Sequence, residues 1–350
     1  MNRQTRDGTL LRREGITGKV VLVERKTRTA ACERRSCGTV RVEDLNEGNA
    51  GVEISVIIPS FESGMELFSC VESLRRQAVG VPFEIIIVES GAVSAAFELE
   101  GEEDIRLVVS RERLYPGTAR NLGARSASGK VLCFLDSDCE AAPDWLARIW
   151  DERPDINRKA VGGTVLNGTP DSATGSAYYF SGFSAMMPGS PGGPVRFLPS
   201  LGLALGAEAF REVGGFRDYR AGEDVAFGLD CALHGIQPVF HPELKVTHLN
   251  STRLGRLCNN QRWLGWGAGN NRVRNDLPGK WVARLPFLWP LIPAARFASI
   301  TARVLRRRPD TLRQFLKASP LVALGALFYG YGFARGALEA FRDRTGAAKG

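Results

Sequence analysis

The chain has 350 residues, of which 44% are hydrophobic and 24% are charged. This composition excludes a disordered or collagen-like chain and is enough for one large hydrophobic core or two small ones. The net charge of +8 suits nucleic acid, anionic lipid or an anionic substrate, so the positions of the basic residues must decide among them.

Cysteine usage indicates the redox compartment. The seven cysteines are scattered along the chain and form no C-x-x-C pair. This pattern favours neither a disulfide framework nor a zinc site, and it fits a reducing cytosol.

Basic residues dominate the first 52 positions, in the runs RREG, ERKTR and CERRS. Apolar periodicity is nearly absent there, except at 19–23, where the sequence predicts one short strand. The region lacks the long apolar segment of a signal peptide. We therefore expect 1–52 to be a basic, poorly ordered extension.

From residue 55 onward, short apolar β-branched runs alternate with stretches of helical period. This alternation is typical of a mainly parallel sheet covered by helices on both faces. The predicted strands are 56–59, 84–88, 106–109, 245–249 and one that runs from 131 into Asp-Ser-Asp at 136–138. The predicted helices are 65–76, 119–127, one that starts near 143 and one that ends near 234.

Two carboxylates, those of Asp136 and Asp138, end the buried run that starts at Val131. Because the carboxyl ends of parallel strands share one edge, they are expected beside Pro59 and Glu89, which end the first two strands. Hard cations such as Mg²⁺ bind few protein carboxylates and complete their shell with phosphate and water, so this edge predicts a metal that holds a nucleotide diphosphate. A simple turn that caps the next helix explains the same residues.

Four segments occur in an order that carries a family resemblance: SVIIPSFES (55–63), EIIIVESGA (84–92), PGTARNLGARSASGKVLCFLDSD (116–138) and GGFRDYRAGEDVAFGLDCALHG (214–235). Over about 53–269, the chain resembles a family 2 glycosyltransferase of the GT-A fold. The resemblance implies an α/β, Rossmann-like, mainly parallel sheet with helices on both faces, in one domain over 53–275. It also implies a metal-dependent, inverting, hexosyltransferase-like enzyme.

On the donor side, the resemblance assigns the nucleobase and ribose to Pro59, Ser60, Glu62 and Glu89. The family usually has Asn where this chain has Glu62, and Asp where it has Glu89. A glutamate at 89 keeps a carboxylate that can accept a hydrogen bond from the N3–H of uracil, so a UDP-sugar is the expected donor.

The diphosphate is assigned to two further segments. The run at 118–123 places a helix N-terminus and Arg120 near the diphosphate or base, although a solvated arginine on an amphipathic helix fits the same pattern. The resemblance gives Asp138 to a metal ion, Mn²⁺ or Mg²⁺, and Asp136 to the ribose or the metal.

Asp224, in the Gly-Glu-Asp run at 222–224, is the predicted general base. Inverting transfer needs a group that deprotonates the acceptor hydroxyl while the leaving nucleoside diphosphate is stabilised. The residue begins a predicted helix whose dipole favours an ionised carboxylate, although plain helix capping explains the sequence equally. The resemblance places Glu223 on the acceptor.

The three histidines, at 234, 241 and 248, are seven residues apart, a spacing that matches no zinc motif. By resemblance, His248 lies near the metal and diphosphate, with a capping or core histidine as the alternative. His234 and His241 are predicted to be structural.

The run NNQRW at 259–263 resembles the Q-x-x-R-W segment of processive family members, with Asn in place of Gln. Trp263 can stack on a sugar ring and Arg262 can bind pyrophosphate, so the two are predicted to form the floor of the acceptor site. An amphipathic helix with a buried tryptophan is the alternative.

Residues 276–350 differ in character from the preceding domain. Uncharged runs at 285–295 and 318–334 flank a basic run at 303–308. Seventeen uncharged residues make a helix of about 25 Å, at the short limit for crossing a hydrocarbon core of about 30 Å. We expect spanning or interfacial helices on an anionic membrane surface, at the cytoplasmic face of the inner or plasma membrane. A helix packed on the domain or on a second subunit is the alternative.

These patterns predict transfer of a sugar from a nucleotide-diphosphate donor to a saccharide acceptor, either lipid-linked or a polysaccharide of the cell envelope. The glycine-, proline- and serine-rich stretch 168–199 is expected to be a loop that covers the acceptor. A non-catalytic nucleotide-sugar-binding or scaffold protein remains an alternative, as does a nucleotidyltransferase, which has no use for a base at 224. The sequence carries no signature of a nucleic-acid-binding motif.

Overall fold

The computed structural model describes residues 20–23, 51–275 and 277–347. Within them, ten strands form one sheet in the order β1-β4-β3-β2-β5-β9-β7-β10-β6, and β8 pairs with β10 at the side. The strands are Val20–Val23 (β1), Ile54–Ser60 (β2), Phe83–Glu89 (β3), Ile105–Ser110 (β4), Val131–Leu135 (β5), Cys139–Ala141 (β6), Lys159–Asn167 (β7), Gly193–Pro194 (β8), Gly202–Gly206 (β9) and Gln237–His248 (β10).

The central strands β4, β3, β2 and β5 are parallel. Alternate residues of β2 face opposite sides of the sheet, as the two-residue period of a strand requires. Val56 and Ile58 belong to one buried cluster, and Ile57 belongs to the other. The sheet is therefore covered on both faces, and the predicted fold class is confirmed.

Ten α-helices lie within the described residues. They are Glu66–Arg75 (α1), Pro116–Ser126 (α2), Trp145–Asp151 (α3), Ala173–Phe183 (α4), Ala207–Val213 (α5), Glu223–Leu233 (α6), Leu254–Arg274 (α7), Lys280–Arg284 (α8), Ile292–Arg307 (α9) and Leu312–Ala347 (α10). Helix α1 packs in the cluster of Val56, and α2 packs in the cluster of Ile57. The helices and strands predicted from the sequence are all present, and their ends differ by a few residues.

The N-terminal strand predicted at 19–23 is present at Val20–Val23, antiparallel to β4. The rest of the predicted extension 1–52 lies outside the described residues, except for 51 and 52. Strand β10 extends the predicted strand 245–249 backward to Gln237, with an irregularity in its pairing to β7 between His241 and Lys245.

The loop prediction for 168–199 is wrong over Ala173–Phe183, which forms α4. Ser172 caps this helix by accepting a hydrogen bond from the backbone N–H of Gly175. Phe180 is fully buried and its ring packs edge-on against Phe315 of α10, 5.3 Å between centroids. The aromatic residues at 179, 180 and 183 supply an apolar helix face, which outweighs the glycines and serines between them.

The backbones of helices α7 and α10 are in close contact. A Cβ on Gly332 would come within 1.9 Å of the carbonyl oxygen of Arg262, and one on Gly265 within 2.0 Å of the carbonyl oxygen of Tyr329. Gly336 and Gly269 make equally close approaches to the facing helix. Among the described residues, one helix, within Pro309–Asp343, is long and apolar enough to cross a membrane by length and composition, and 44% of its most apolar window is buried in the protein.

The Gly332→Ala substitution is expected to push α10 away from α7 and lower the free energy of unfolding by about 1–3 kcal/mol, the usual cost of overpacking. Gly255→Ala, near the start of α7, is the control, because a Cβ there meets nothing within 4 Å. It is expected to stabilise by about 0.5–1 kcal/mol through helix propensity. Urea denaturation measures both, and equal stability of the two variants would contradict the close approach.

Candidate functional site

A cleft of about 220 Å³ opens at the edge where the parallel strands end. It is lined by Pro59, Ser60, Phe61, Ser90, Leu114, Pro116, Ala119, Arg120, Asp136, Ser137 and Asp138. Five predicted site residues are therefore brought together, and the placement follows from the parallel order of β2, β3 and β5.

Arg120 is the centre of the site. It is only 2% exposed, and its guanidinium bonds Asp136 at 2.5 Å and Glu223 at 3.1 Å. Burial lowers the pKa of this guanidinium, but the charges of Asp136 and Glu223 outweigh that effect, so its pKa is raised. The solvated-arginine alternative is wrong, since Arg120 joins the carboxylate after β5 to the carboxylate that begins α6.

Helix α2 and the segment before α6 are held together by several hydrogen bonds. Thr118 donates to the carboxylate of Asp218 at 2.6 Å, and the Asn121 side chain bonds both backbone groups of Phe216. Gly117 permits this contact, because a Cβ there would lie 3.0 Å from the carbonyl oxygen of Arg217. The segment predicted to face the diphosphate thus also fixes the position of the Gly-Glu-Asp run.

Asp138 and His248 form the part of the site that suits a metal ion. The Nε2 atom of His248 lies 3.6 Å from Oδ1 of Asp138, and the ligand atoms of these residues and Cys139 lie within 4.8 Å of one another. His248 is 4% exposed, and the rings of Tyr178 and Phe183 pack against its imidazole. Its Nδ1 has no hydrogen-bond partner among the described residues.

The donor set fits a hard or borderline divalent ion, because carboxylate and imidazole are the ligands such ions accept. Burial, followed by the charges of Asp138 and Asp136, raises the pKa of the Cys139 thiol well above its usual value. Burial also raises the pKa of Asp138, and the charge of His248 opposes that effect.

Glu89, predicted to contact uracil, is not among the residues that line the cleft. The residue is fully buried, and one carboxylate oxygen accepts a 2.5 Å hydrogen bond from the Ser60 hydroxyl. The other oxygen accepts from the backbone N–H groups of Glu62 and Gly91. The extra methylene, compared with aspartate, carries the carboxylate into the protein, where these donors satisfy it.

Hydroxyl groups connect Glu89 to the metal-site turn. The hydroxyl oxygens of Ser60 and Ser63 lie 2.9 Å apart, and those of Ser63 and Ser137 are also 2.9 Å apart. A chain of hydrogen bonds therefore runs from Glu89 to Ser137, the residue between the two aspartates. Glu62 is exposed, lies outside the cleft lining, and has a positive φ of 50°. A non-glycine residue in this conformation is uncommon, and here the bond from its N–H to Glu89 helps to hold it.

Asp224 follows Glu223 in the first turn of α6. Burial, followed by the charge of Glu223, raises its pKa to about 7. The charge of Asp224 contributes to the raised pKa of Arg120. A carboxylate with a pKa near neutrality is well matched to proton transfer, so the position suits a general base.

Trp263 lies in α7, with the Arg220 guanidinium 3.6 Å from its ring centroid and that of Arg262 4.9 Å away. Arg220 is in the segment just before α6, so the tryptophan adjoins the Gly-Glu-Asp run. Asn271 of α7 also donates to the carbonyl of Gly222 at 3.0 Å. The predicted acceptor floor is thus beside the predicted base, but a guanidinium already covers the ring.

The other histidines have local partners: His234 Nδ1 lies 2.8 Å from the carbonyl oxygen of Asp230, and His241 lies 3.3 Å from Glu152. Sequence reasoning missed Phe61, which lines the cleft and carries the Arg113 guanidinium 4.2 Å from its ring centroid. Its position inside the first motif, between Ser60 and Glu62, was the available signal. Ser90 lies inside the second motif in the same way, whereas Leu114 lies outside the quoted motifs.

Comparisons with known proteins agree with this geometry. The model of the family described as "Glycosyl transferase family 2" matches residues 55–202. The curated glycosyltransferase AglE of Haloferax volcanii is 26% identical over 134 residues, which are 37% of this chain and 44% of the relative. The O-antigen biosynthesis protein RfbC of Myxococcus xanthus is 28% identical over 244 residues, which are 62% of this chain and 19% of the relative. The chain thus spans less than half the length of either.

Among solved structures, the mannosyltransferase PcManGT from Pyrobaculum calidifontis, in complex with GDP-Man and Mn²⁺, aligns with a TM-score of 0.52. The alignment covers 82% of this chain and 91% of that one at 16% identity, so the likeness is one of fold. The strand-end aspartates and helix α2 lie within the matched residues 55–202, and the α6 carboxylates lie beyond them. Over residues 55–202 the chain is similar to glycosyl transferase family 2.

Proposed function

We propose that this chain is a metal-dependent, inverting glycosyltransferase that moves a sugar from a nucleotide-diphosphate donor to a saccharide acceptor, lipid-linked or polysaccharide. The observation that carries the proposal is the bridge made by Arg120 between Asp136 and Glu223. One buried cation joins the strand-end carboxylates, which suit a donor, to the helix-start carboxylates, which suit an acceptor. A reaction between two substrates needs both held in fixed relation.

On the donor side, Asp138 and His248 would hold Mn²⁺ or Mg²⁺, with Asp136 beside them. The bound ion would supply charge neutralisation for the leaving diphosphate. The mannosyltransferase of similar fold contains GDP-Man and Mn²⁺, which supports a divalent ion and a nucleotide sugar as the ligands to test. A UDP-sugar is the donor to test first, and in this proposal Glu89 does not contact its base.

On the acceptor side, Asp224 removes the proton from the acceptor hydroxyl while the oxygen of that hydroxyl bonds to the anomeric carbon of the donor sugar. The bond from that carbon to the phosphate oxygen breaks, and the nucleoside diphosphate leaves with the electron pair. Attack opposite the leaving group inverts the anomeric centre. Glu223, fixed by Arg120, orients the acceptor, and the Trp263 region forms its floor.

The relative from Myxococcus xanthus is named for O-antigen biosynthesis, which favours a saccharide of the cell envelope as the acceptor to test. A non-catalytic nucleotide-sugar-binding protein is the second candidate. It is favoured by one observation, the complete burial of Glu89, which removes an expected contact to the donor base.

Calorimetric titration tests the donor half of the proposal. UDP, GDP, TDP and ADP are each titrated into the purified full chain with and without Mn²⁺. One nucleotide is expected to bind with metal dependence, and an Asp136→Asn, Asp138→Asn variant is expected to lose binding by about 10–100-fold, the usual effect of altering a metal site.

The control is Asp144→Asn, which makes the same change at an exposed residue paired only with Arg148. If the folded chain binds no nucleotide, the donor proposal is wrong. If it binds one but releases no nucleoside diphosphate from any matching sugar donor, the non-catalytic candidate replaces the enzyme.

A further inference from the structure

Helix α10 presents one continuous apolar face to solvent. The large apolar residues on this face are well exposed: Leu316 and Leu327 by 59% each and Tyr331 by 54%. Pro320, Ala323 and Phe328 are exposed between them at helical spacing. The stripe from 316 to 331 is about 22 Å long at the rise of an α-helix. Exposed apolar surface of this extent marks an interaction site.

Basic residues stand at both ends of this stripe. Arg313 and Lys317 are exposed at its start, and neither has a carboxylate partner among the described residues. Arg335 is exposed at its other end, 3.5 Å from the Tyr331 hydroxyl. The nearby acidic groups are occupied, since Glu339 accepts from Trp266 and Asp343 pairs with Arg274. The face is therefore apolar in the middle and positive at its ends.

A second exposed apolar segment lies next to α10. Residues Lys280–Leu291 pack on the C-terminal half of α10 through Ala283 and Trp289, which share a buried cluster with Phe333. This segment leaves Trp281 and Phe287 exposed by 58% and 74%. Tryptophan beside aliphatic residues and arginine is typical of surfaces that enter the headgroup region of a bilayer.

We propose that this surface, the exposed face of α10 with Trp281 and Phe287, docks the protein on an anionic lipid bilayer, with α10 lying along the membrane and not crossing it. The opposite face of α10 is held to α7 by the close glycine contacts at 265, 269, 332 and 336. Helix α7 carries polar and basic residues along its length, so it cannot follow α10 into hydrocarbon. A helix with one buried face and one apolar, positively flanked face fits the interface.

A second copy of this chain is the other occupant such a face could take. Two copies joined through it would bring Arg313, Lys317 and Arg335 of one against the same positive groups of the other. Like charges at close range oppose that contact, whereas anionic headgroups are attracted to all three. The charge pattern thus favours lipid. The proposal does not depend on transferase activity; with that activity, it would place the enzyme at the cytoplasmic leaflet.

Vesicle co-sedimentation of the full chain tests the proposal. Phosphatidylcholine vesicles are compared with vesicles that contain about one third phosphatidylglycerol. Binding to the anionic vesicles is expected to be at least about tenfold stronger and to weaken as salt is raised. Leu316→Glu with Leu327→Glu, and separately Arg313→Glu with Lys317→Glu, are each expected to weaken it at least about tenfold.

Leu233→Glu is the matched control, since Leu233 is 81% exposed at the end of α6, away from this surface. The thermal unfolding temperature and the nucleotide binding of each variant are measured together with its vesicle binding. These measurements distinguish loss of docking from loss of the fold and from failure of the donor site. Equal binding to both vesicles, or unchanged binding by both double variants, would overturn the proposal. A dimer seen in light scattering and dissociated by the same substitutions would also overturn it. So would resistance to alkaline carbonate extraction, which is expected of a helix that spans the membrane.

Discussion

The Asp224→Asn substitution is expected to reduce sugar transfer by about 10²–10⁴-fold, the usual contribution of a general base. Its pKa of about 7 means that the carboxylate is ionised and able to take the acceptor proton only near or above neutral pH. For the unmodified chain, kcat/KM is therefore expected to rise with pH up to about 7 and then level off. The asparagine variant lacks this dependence, because it has no group to titrate.

The same substitution is expected to stabilise the protein above pH 7. The folded-state pKa of Asp224 is raised above the ordinary value of 3.8, so the folded state holds this proton more tightly than the unfolded chain does. As pH rises from the ordinary pKa to the raised one, ionisation costs the folded state free energy, and the full cost is present above the raised value. Asparagine removes that cost, with a gain on the order of 1 kcal/mol or roughly 2–4 °C in the unfolding temperature.

Calorimetric unfolding at pH 8 and at pH 5 distinguishes a general base from a helix cap. A capping aspartate replaced by asparagine changes stability little and leaves transfer intact, since both residues cap well. If the variant loses transfer and gains stability at pH 8, and this gain is smaller at pH 5, Asp224 is a general base that lowers the stability of the fold. Such a trade-off between activity and stability is usual in active sites. Retained transfer would show that Asp224 is a cap and that the base lies elsewhere. Asp144→Asn should change neither quantity.

The carboxyl edge of the sheet was predictable because it depends on local signals. A run such as VLCFL is apolar without interruption, so it must be a strand buried on both faces, and Asp-Ser-Asp must end it. The parallel order of β2, β3 and β5 then fixes that edge as the cleft. Arg120 lines that cleft, and its partners depend on how α2 meets the segment before α6, which the sequence does not encode locally.

The surroundings of Glu89 could not be predicted, because they are built from three separate backbone and hydroxyl donors. The Ser60 hydroxyl and the N–H groups of Glu62 and Gly91 converge on it only after β2 and β3 have paired and the chain has turned after each. Gly91 is essential to that turn, since a Cβ there would lie 2.6 Å from the Glu62 side chain.

The packing of α10 was equally hidden. Its uncharged run is long and apolar enough for a membrane helix. The glycines that contact α7 are equally typical of membrane helices and of helices packed within a protein. Only the pairing of Gly332 with Arg262 and of Gly265 with Tyr329 shows which face is covered. The sequence could therefore indicate an apolar helix but not distinguish crossing from packing.

Arg120→Ala is expected to lower the free energy of unfolding by about 3–5 kcal/mol, the cost of leaving buried charges without their partner. Asp136 and Glu223 lose the guanidinium that joins them, and α6 loses its tie to the end of β5. Arg125→Ala, on the exposed side of the same helix, is the control and should cost less than about 1 kcal/mol.

A double-mutant cycle separates the bridge from the packing of the arginine side chain. If the bridge matters, Glu223→Gln added to Arg120→Ala costs less than it does in the unmodified chain, with a coupling of about 0.5–3 kcal/mol. Arg120→Lys keeps one positive charge but cannot reach both carboxylates with a planar fork, so it should recover stability only in part. Additive effects of the two changes would show that Arg120 serves the donor side alone. Coupled effects on both stability and transfer would mean that donor and acceptor halves of the cleft are set by one residue, and that positioning across the cleft is its contribution to the reaction.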